Sequence, residues 1–273
     1  MKNRILILGK GFIGKRLQEE LSCGVSTRRI STFSDISSQI QRYRPKILIN
    51  CIGHTGAGNV DGCELALDKT LQANTYIPIL LAEAAYRHKI KLVHLSSGCI
   101  FHYDYGRQRP ITESPIPDYY DLYYSRSKIY AENVLRELSR QCNILIVRLR
   151  IPLDKRPHPK NLLTKLISYQ RVIDVPNSVT YIPDFIRALK HLIKIDARGI
   201  YNIVAKGGLR YPELLDVYRK YVPSFRYKVI DLKQLRLMRT NLILSTRKLE
   251  RSGFKVRTVN EILEECVQEY LKY

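Results

Sequence analysis

The sequence lacks the features that would mark an exported, membrane-spanning or metal-built protein. Its six cysteines, at 23, 51, 63, 99, 142 and 266, include no C-x-x-C pair and no zinc-like grouping with the six histidines. That argues against a disulfide framework and against any metal site, so most of the thiols are expected to pack as small apolar groups. Long apolar runs are missing too. The start, Met1 to Gly14, offers only Ile5 to Leu8 before Gly9 and Lys10 intervene, too little for the apolar region of a signal peptide, and no stretch reaches spanning length. A cytoplasmic protein with no membrane partner is expected. Acidic residues are scarce: 25 Asp and Glu against 46 Lys and Arg, a formal net charge of +21. The basic residues are nevertheless scattered, as in Arg42/Arg44/Lys46, Arg87/Lys89/Lys91 and Arg247/Lys248/Arg251, with no long block and no nucleic-acid-binding signature. A solvated basic surface is the reading favoured over a polyanion site. Internal repeats and low-complexity segments are absent.

What is present is a soluble globular composition, 45% hydrophobic and 26% charged over 273 residues, long enough for one large or two intimate domains. Residues 4 to 8 form a short β-type run. Gly9-Lys10-Gly11-Phe12-Ile13-Gly14 follows, then Lys15 to Leu21 with helical periodicity. This is G-x-G-x-x-G between a strand and a helix, where glycines let the backbone approach a pyrophosphate and the helix start offers free N–H groups. A dinucleotide site is expected there. Gly24 to Arg29 sits where a second strand should end. Arg28 and Arg29 stand where an acid would hold the ribose diol of NAD, which points to the 2′-phosphate of NADP, with two ordinary surface arginines as the alternative.

Helix Ile36 to Tyr43, strand Lys46 to Gly53, a loop over His54 to Cys63, a long helical region Leu65 to Lys89 and strand Lys91 to Ser97 come next. Alternation of this kind argues for a parallel sheet with helices on both faces. Ligands bind beyond the carboxyl ends of such strands, so Asn50 to Gly53 and Ser96 to Cys99 fall at the expected ligand edge. An irregular loop is expected over Tyr103 to Tyr120. Tyr124-Ser125-Arg126-Ser127-Lys128 then opens a helix that puts a phenol and an ammonium on one face, an arrangement suited to proton donation, though a surface helix would also carry such a pair by chance. A strand at Asn143 to Arg150 follows. Beyond Pro152, Pro157 and Pro159 the pattern is mixed: helices near 161–169, 183–193, 212–221 and 259–273, with strands near 171–175 and 199–204. The expected division is a cofactor-binding domain over 1–150, rejoined by segments near 180–205, and a mainly substrate-binding region over 151–273.

The glycine turn, Ser97 at a strand end and the Tyr124/Lys128 pair, in this order, resemble the extended short-chain dehydrogenase/reductases. More narrowly, Asn50-Cys51-Ile52-Gly53-His54-Thr55 and Val60 to Glu64 resemble the dTDP-4-dehydrorhamnose reductase branch. Gly56 to Glu64, Ser97 to Phe101, Tyr124 to Lys128, Arg148 to Pro152 and His158 to Thr180 are similar to rhamnose-forming chains that join 3,5-epimerase and 4-reductase activities. The resemblance implies an α/β, Rossmann-like doubly wound parallel sheet with a smaller mixed α/β substrate-binding region. It implies NADPH as cofactor, held by Gly9, Gly11, Phe12, Ile13, Gly14, Arg28, Arg29, Asn50, Gly53 and Pro152. It implies a nucleotide-diphosphate sugar as substrate, contacted by His54, Asn59, Arg150 and Asn177, and allows a homodimer.

The chemistry implied is reduction of a C4 ketone, with Tyr124 as acid, Lys128 beside it and on the nicotinamide ribose, and Ser97 on the keto oxygen. Gly98 and Cys99 replace an Asp and a Tyr of ordinary reductases in this branch. Cys99 is the implied base for epimerisation at C3 or C5 and Lys165 the opposing acid, against the plainer reading of a packed thiol and a surface ammonium. Ser245 stands where the family usually has an acid. A second reading is a non-catalytic NADP-binding module, because the regulatory subunit of methionine adenosyltransferase resembles the same branch.

Overall fold

The computed structural model describes residues 4–104, 109–234 and 240–273. The chain forms two compact units. One comprises Met1–Ile100, Pro117–Arg148 and Ile193–Tyr201, the other Phe101–Ile116, Leu149–Leu192 and Asn202–Tyr273. A division at residue 150 therefore misses two crossings. Residues 101–116 lie in the second unit, and of the stretch expected to return to the first unit only 193–201 does so. The physical reason is where the apolar side chains go: Ile200 joins the core of the first unit, whereas Val179 and Tyr181 join that of the second.

The first unit is built on β1 (Ile5–Leu8), α1 (Phe12–Leu21), β2 (Gly24–Ser26), α2 (Phe33–Tyr43), β3 (Ile47–Asn50), α3 (Leu67–Leu71), α4 (Ile77–Arg87), β4 (Lys91–Ser97), α5 (Tyr123–Leu138) and β5 (Ile144–Leu149). With β9 (Gly199–Asn202) they make a six-stranded sheet in the order β2-β1-β3-β4-β5-β9. β1 runs parallel to β2 and β3, and β3 parallel to β4. Parallel neighbours need crossover helices, and these cover the sheet, so β1, β3 and β4 read as buried apolar runs. Leu6, Leu48, Leu92 and Ile146 from the strands meet Ile36 and Ile40 of α2, Leu81 of α4 and Leu135 of α5 in one core. α2 starts at a capping box in which Thr32 Oγ1 accepts from Asp35 N and Asp35 accepts from Thr32 N, the reciprocal satisfaction that fixes a helix start. At the start of β4 Lys91 Nζ, almost fully buried, donates to Asn143 Oδ1 at 3.0 Å, Asp196 Oδ1 at 2.8 Å and the Ala197 carbonyl at 2.7 Å. That grip holds the lead-in to β9.

The long helical region expected over 65–89 is real but interrupted. Between α3 and α4 the residues Gln72–Tyr76 form a π turn, with Ile77 N–H donating to Gln72 O. Pro78 explains it: proline has no N–H for the carbonyl of Asn74 four residues back and its ring crowds that carbonyl, so the chain takes up an extra residue. The loop over His54 to Cys63 also ends in a 3₁₀ turn, Val60–Cys63.

The second unit contains β6 (Pro152–Leu153), α6 (Leu162–Ile167), β7 (Arg171–Ile173), β8 (Thr180–Tyr181), α7 (Ile182–Lys194), α8 (Tyr211–Tyr221), β10 (Lys228–Ile230), α9 (Arg247–Arg251) and α10 (Val259–Tyr270). Two parallel pairs, β6 with β8 and β7 with β10, replace a large sheet. Its core gathers Leu163 and Leu166 of α6, Leu214 and Leu215 of α8, and Ile262, Cys266 and Val267 of α10. Residues 105–108 of the irregular loop expected over Tyr103 to Tyr120 lie outside the described residues. No helix of the described residues is long and apolar enough to cross a membrane.

Candidate active site

The strand order of the first unit reverses between β1 and β3, and a ligand crevice forms beyond the carboxyl ends of the strands at such a point. The glycine turn sits there. Gly9 has φ +95°, the left-handed region, and a Cβ on it would lie 2.9 Å from Ile52 N, so only glycine lets β1 turn against the end of β3. A Cβ on Gly14 would stand 2.0 Å from the Gly9 carbonyl oxygen, which makes glycine obligatory for the close packing of α1 on the turn. Gly11 differs: a Cβ there would meet nothing within 4 Å. α1 begins at Gly11 with no side-chain cap and no acid in its first turn. Its leading N–H groups thus have no capping side chain, which suits a diphosphate. Arg28 and Arg29 are exposed just past β2.

β4 ends on Ser96 and Ser97, and the chain turns at once through Gly98 into Cys99. Cys99 N donates to Ser97 Oγ at 3.1 Å. The serine's oxygen is thereby used as an acceptor and its own proton is left for another oxygen. From the other side Ser125 Oγ donates to the Cys99 carbonyl at 2.5 Å, so the turn bearing Ser97 and Cys99 is tied to the first turn of α5. Glu64 Oε1 accepts from Tyr123 N at 2.6 Å and caps that same helix start. Tyr124 and Lys128 follow on α5, both largely buried, with exposures of 8% and 5%.

Lys128 Nζ donates to the Leu95 carbonyl at 3.3 Å and lies 3.6 Å from where a Cβ on Gly53 would be. Burial pulls its pKa down to about 8, against the charge of Glu132, which opposes the fall. Ser97, Cys99, Tyr124 and Lys128 therefore belong to one end of the first unit, on β4, its following turn and α5.

Other sequence-chosen residues have their polar groups engaged elsewhere. Asn50 is fully buried. Its Oδ1 accepts from Ile52 N at 3.0 Å and its Nδ2 meets His94 Nδ1 at 3.1 Å, so the side chain shapes the turn after β3. His54 Nδ1 is 3.0 Å from Thr70 Oγ1. Asn59 caps the 3₁₀ turn, accepting from Asp61 N at 2.9 Å. In the second unit Arg150 Nε donates to Asn177 Oδ1 at 3.0 Å, and Asn177 Nδ2 donates to Asn241 Oδ1 at 2.9 Å. Both residues are buried. Pro152 begins β6, paired with Thr180. Lys165 lies on α6, half-buried, in a helix capped by Asn161 through Leu163 N. Ser245 is buried and its hydroxyl accepts from Arg247 N at 3.4 Å, just ahead of α9.

Sequence reasoning passed over Asn74. It sits buried in the π turn, accepts from His54 N at 2.8 Å, and donates to the His54 carbonyl at 2.9 Å and to Ser127 Oγ at 3.1 Å. One amide thus joins the loop after β3 to the helix of Tyr124 and Lys128. The signal was Pro78, four residues on.

Comparison with known proteins finds relatives of this chain along most of its length. A bifunctional dTDP-4-dehydrorhamnose 3,5-epimerase/dTDP-4-dehydrorhamnose reductase of Arabidopsis thaliana is 28% identical over 97% of this chain and 92% of that protein. A trifunctional UDP-glucose 4,6-dehydratase/UDP-4-keto-6-deoxy-D-glucose 3,5-epimerase/UDP-4-keto-L-rhamnose-reductase of the same plant is 27% identical over 95% of this chain, which spans only 41% of that longer protein. Among solved structures, the UDP-rhamnose synthase of Acanthamoeba polyphaga mimivirus superposes with a TM-score of 0.90 at 24% identity, covering 97% of this chain and 99% of that one. The dTDP-4-dehydrorhamnose reductase of Bacillus anthracis, in complex with NADP, gives 0.83 at 23% identity, covering 100% and 99%. Both likenesses are of fold. Residues 3–182, more than half of the chain, match the profile described as the RmlD substrate binding domain, and the chain belongs to that family.

Proposed function

We propose that this chain reduces the C4 ketone of a nucleotide-linked 4-keto-6-deoxyhexose with NADPH and also epimerises it at C3, C5 or both, giving a nucleotide L-rhamnose-type sugar. The observation that carries the reading is the joining of Ser97, Cys99 and the Tyr124/Lys128 helix by hydrogen bonds at one end of the sheet. Relatives that carry both activities support it.

The glycine turn fits the cofactor: there is open space over Gly11 and an uncapped helix start. The backbone of Gly9 to Gly14 would hold the pyrophosphate, Arg28 and Arg29 the 2′-phosphate, and Lys128 the nicotinamide ribose. When bound, NADPH supplies the hydride delivered to C4. Ser97, its oxygen already accepting from Cys99 N, donates to the keto oxygen and orients it. Tyr124 gives its proton to the developing alkoxide, with the Lys128 ammonium one helical turn away.

Epimerisation uses the acidity that the C4 ketone confers on its neighbours. Cys99 takes the proton from carbon and Lys165 is assigned the return of one to the opposite face. The nucleotide is UDP or dTDP, and a 2-acetamido analogue is a further candidate substrate.

The test is NMR of the protein with UDP- or dTDP-4-keto-6-deoxyglucose in D₂O. Deuterium is expected at C3 or C5 without NADPH, and a rhamnose-configured product once NADPH is added. Tyr124→Phe is expected to lower reduction about a hundredfold or more, while Cys99→Ala abolishes exchange and spares reduction of a substrate already epimerised. Loss of both activities on changing Cys99 alone would sink the separation of roles.

A further inference from the structure

One buried charged cluster takes no part in the reaction as described. Glu132 lies on α5 one helical turn beyond Lys128, and Arg148 lies on β5; neither is exposed at all. Arg148 Nε donates to Glu132 Oε1 and Oε2 at 3.1 and 3.2 Å, and its Nη2 donates to Oε1 at 2.5 Å. Ser96 Oγ, on β4, donates to Oε2 at 2.7 Å. Ser96 immediately precedes Ser97. A single carboxylate therefore joins the helix of Tyr124 and Lys128, the strand of Ser97 and the neighbouring strand β5.

Stability is a poor reason for such a pair. A buried ion pair replaced by apolar groups of similar volume is often no less stable, because desolvation of both charges offsets their attraction. Position is the better reason. The groups facing Lys128 are Glu132 from its own helix, the Leu95 carbonyl and His94 from β4, Cys51 after β3, and Cys63 from the 3₁₀ turn. Burial pushes both thiols up and pulls His94 well down, so at neutral pH all three are uncharged. Among the described residues facing that ammonium, Glu132 alone is a carboxyl group, and its ion pair with Arg148 marks it as the negative charge there.

We propose that Glu132 is a positioning residue for the reduction: it fixes α5 and β4 in mutual register, so that Tyr124, Lys128 and Ser97 meet one carbonyl, and supplies the negative charge against which the buried Lys128 ammonium is held. This rests on the reductase reading above for its catalytic consequence. The electrostatic part stands without it.

The experiment uses the full chain and two variants. Glu132→Gln alone leaves Arg148 buried without a counter-charge and is expected to fold poorly. The double variant Glu132→Gln/Arg148→Met removes both charges at similar volume and keeps the fold. Glu132→Asp keeps the charge and serves as the conservative rescue. Two readouts are taken: kcat/KM for NADPH-dependent reduction of a pre-epimerised keto sugar across pH, and titration of the Lys128 side chain in protein carrying ¹³C-lysine, with the resonance assigned by Lys128→Met. In the double variant the basic limb of the pH profile and the Lys128 titration are both expected to move down by about one pH step, while Glu132→Asp leaves both near the parent's. A uniform loss of activity at every pH with the titration unmoved would mean a structural role only and would overturn the proposal. Should the parent turn over no keto sugar, the reductase reading fails, and the lysine titration still decides whether Glu132 holds the ammonium.

Discussion

His94 shows how one residue can be read two ways. A histidine on an apolar strand beside a lysine resembles a second acid or base for the site. It is instead fully buried, with Asn50 Nδ2 at its Nδ1, and its Nε2 has no hydrogen-bond partner among the described residues. Burial first, then the nearby Lys128 charge, hold its pKa well below the usual imidazole value, so the ring is neutral. The free imidazole titrates near 6.5. Below that pH the unfolded chain binds a proton that the folded one refuses, and folding stability falls as pH falls. Thermal melts between about pH 7.5 and 5.5 are expected to show this decline, and His94→Gln, which keeps an acceptor for Asn50, is expected to flatten it. An unchanged slope in the variant would mean that other groups carry the acid sensitivity. Lys128 has the opposite consequence for activity: with its pKa near 8, the cation is progressively lost above that pH, and reduction should decline there.

At the scale of elements, the π turn is the instructive case. Hydrophobic periodicity over residues 65–89 reads as one helix, and Leu67–Leu71 and Ile77–Arg87 on either side of the π turn are α-helical. Pro78 displaces the register by one residue and brings Asn74 inward, where it makes three hydrogen bonds. Replacing Asn74 by Ala should cost about 1–3 kcal/mol, because the backbone groups of half-buried His54 lose their partner, and should lower turnover, since the loop and α5 are no longer joined. Calorimetry together with reduction kinetics separates the two effects. A variant that loses stability with full turnover would show that the bridge does not position the helix.

The same scale explains what was legible beforehand. β1, β3, β4 and β5 were readable because strands buried on both faces are continuous apolar runs. β2 was obscure because it is only Gly24–Ser26. β6, β8 and β10 are two or three residues long, too short for any period to register. Gly9 to Gly14, Ser97 and Tyr124/Lys128 announced themselves by spacing. Asn74, Glu64 and Ser125 did not, since their importance lies in partners remote in sequence: His54, Tyr123 and Cys99.

For the whole molecule, the relevant fact is that neither unit is one stretch of chain. The sheet of the first unit takes its last strand, β9, from residues 199–202, after the chain has built β6 to β8 and α7 in the other unit. A polypeptide ending at residue 150 is therefore expected to lack a cooperative thermal transition, although it contains the glycine turn, Ser97 and Tyr124. Circular dichroism melts of that fragment would check this, and a sharp transition would show that β9 is dispensable. The net charge of +21 belongs to this scale as well. Buried or paired cations such as Arg148 and Lys91 absorb only part of it.

The late arrival of β9 also sets a schedule on the ribosome. About 50 residues separate the end of β5 from the start of β9, and at roughly 5–20 residues per second their synthesis occupies about 3–10 s. Throughout that interval Ile144 to Leu149, an apolar run of high strand propensity, presents an open edge to its surroundings or to a neighbouring nascent chain. Slower translation lengthens the exposure. Yield of native protein should therefore respond to codon choice and to holdase chaperones most strongly between residues 150 and 199.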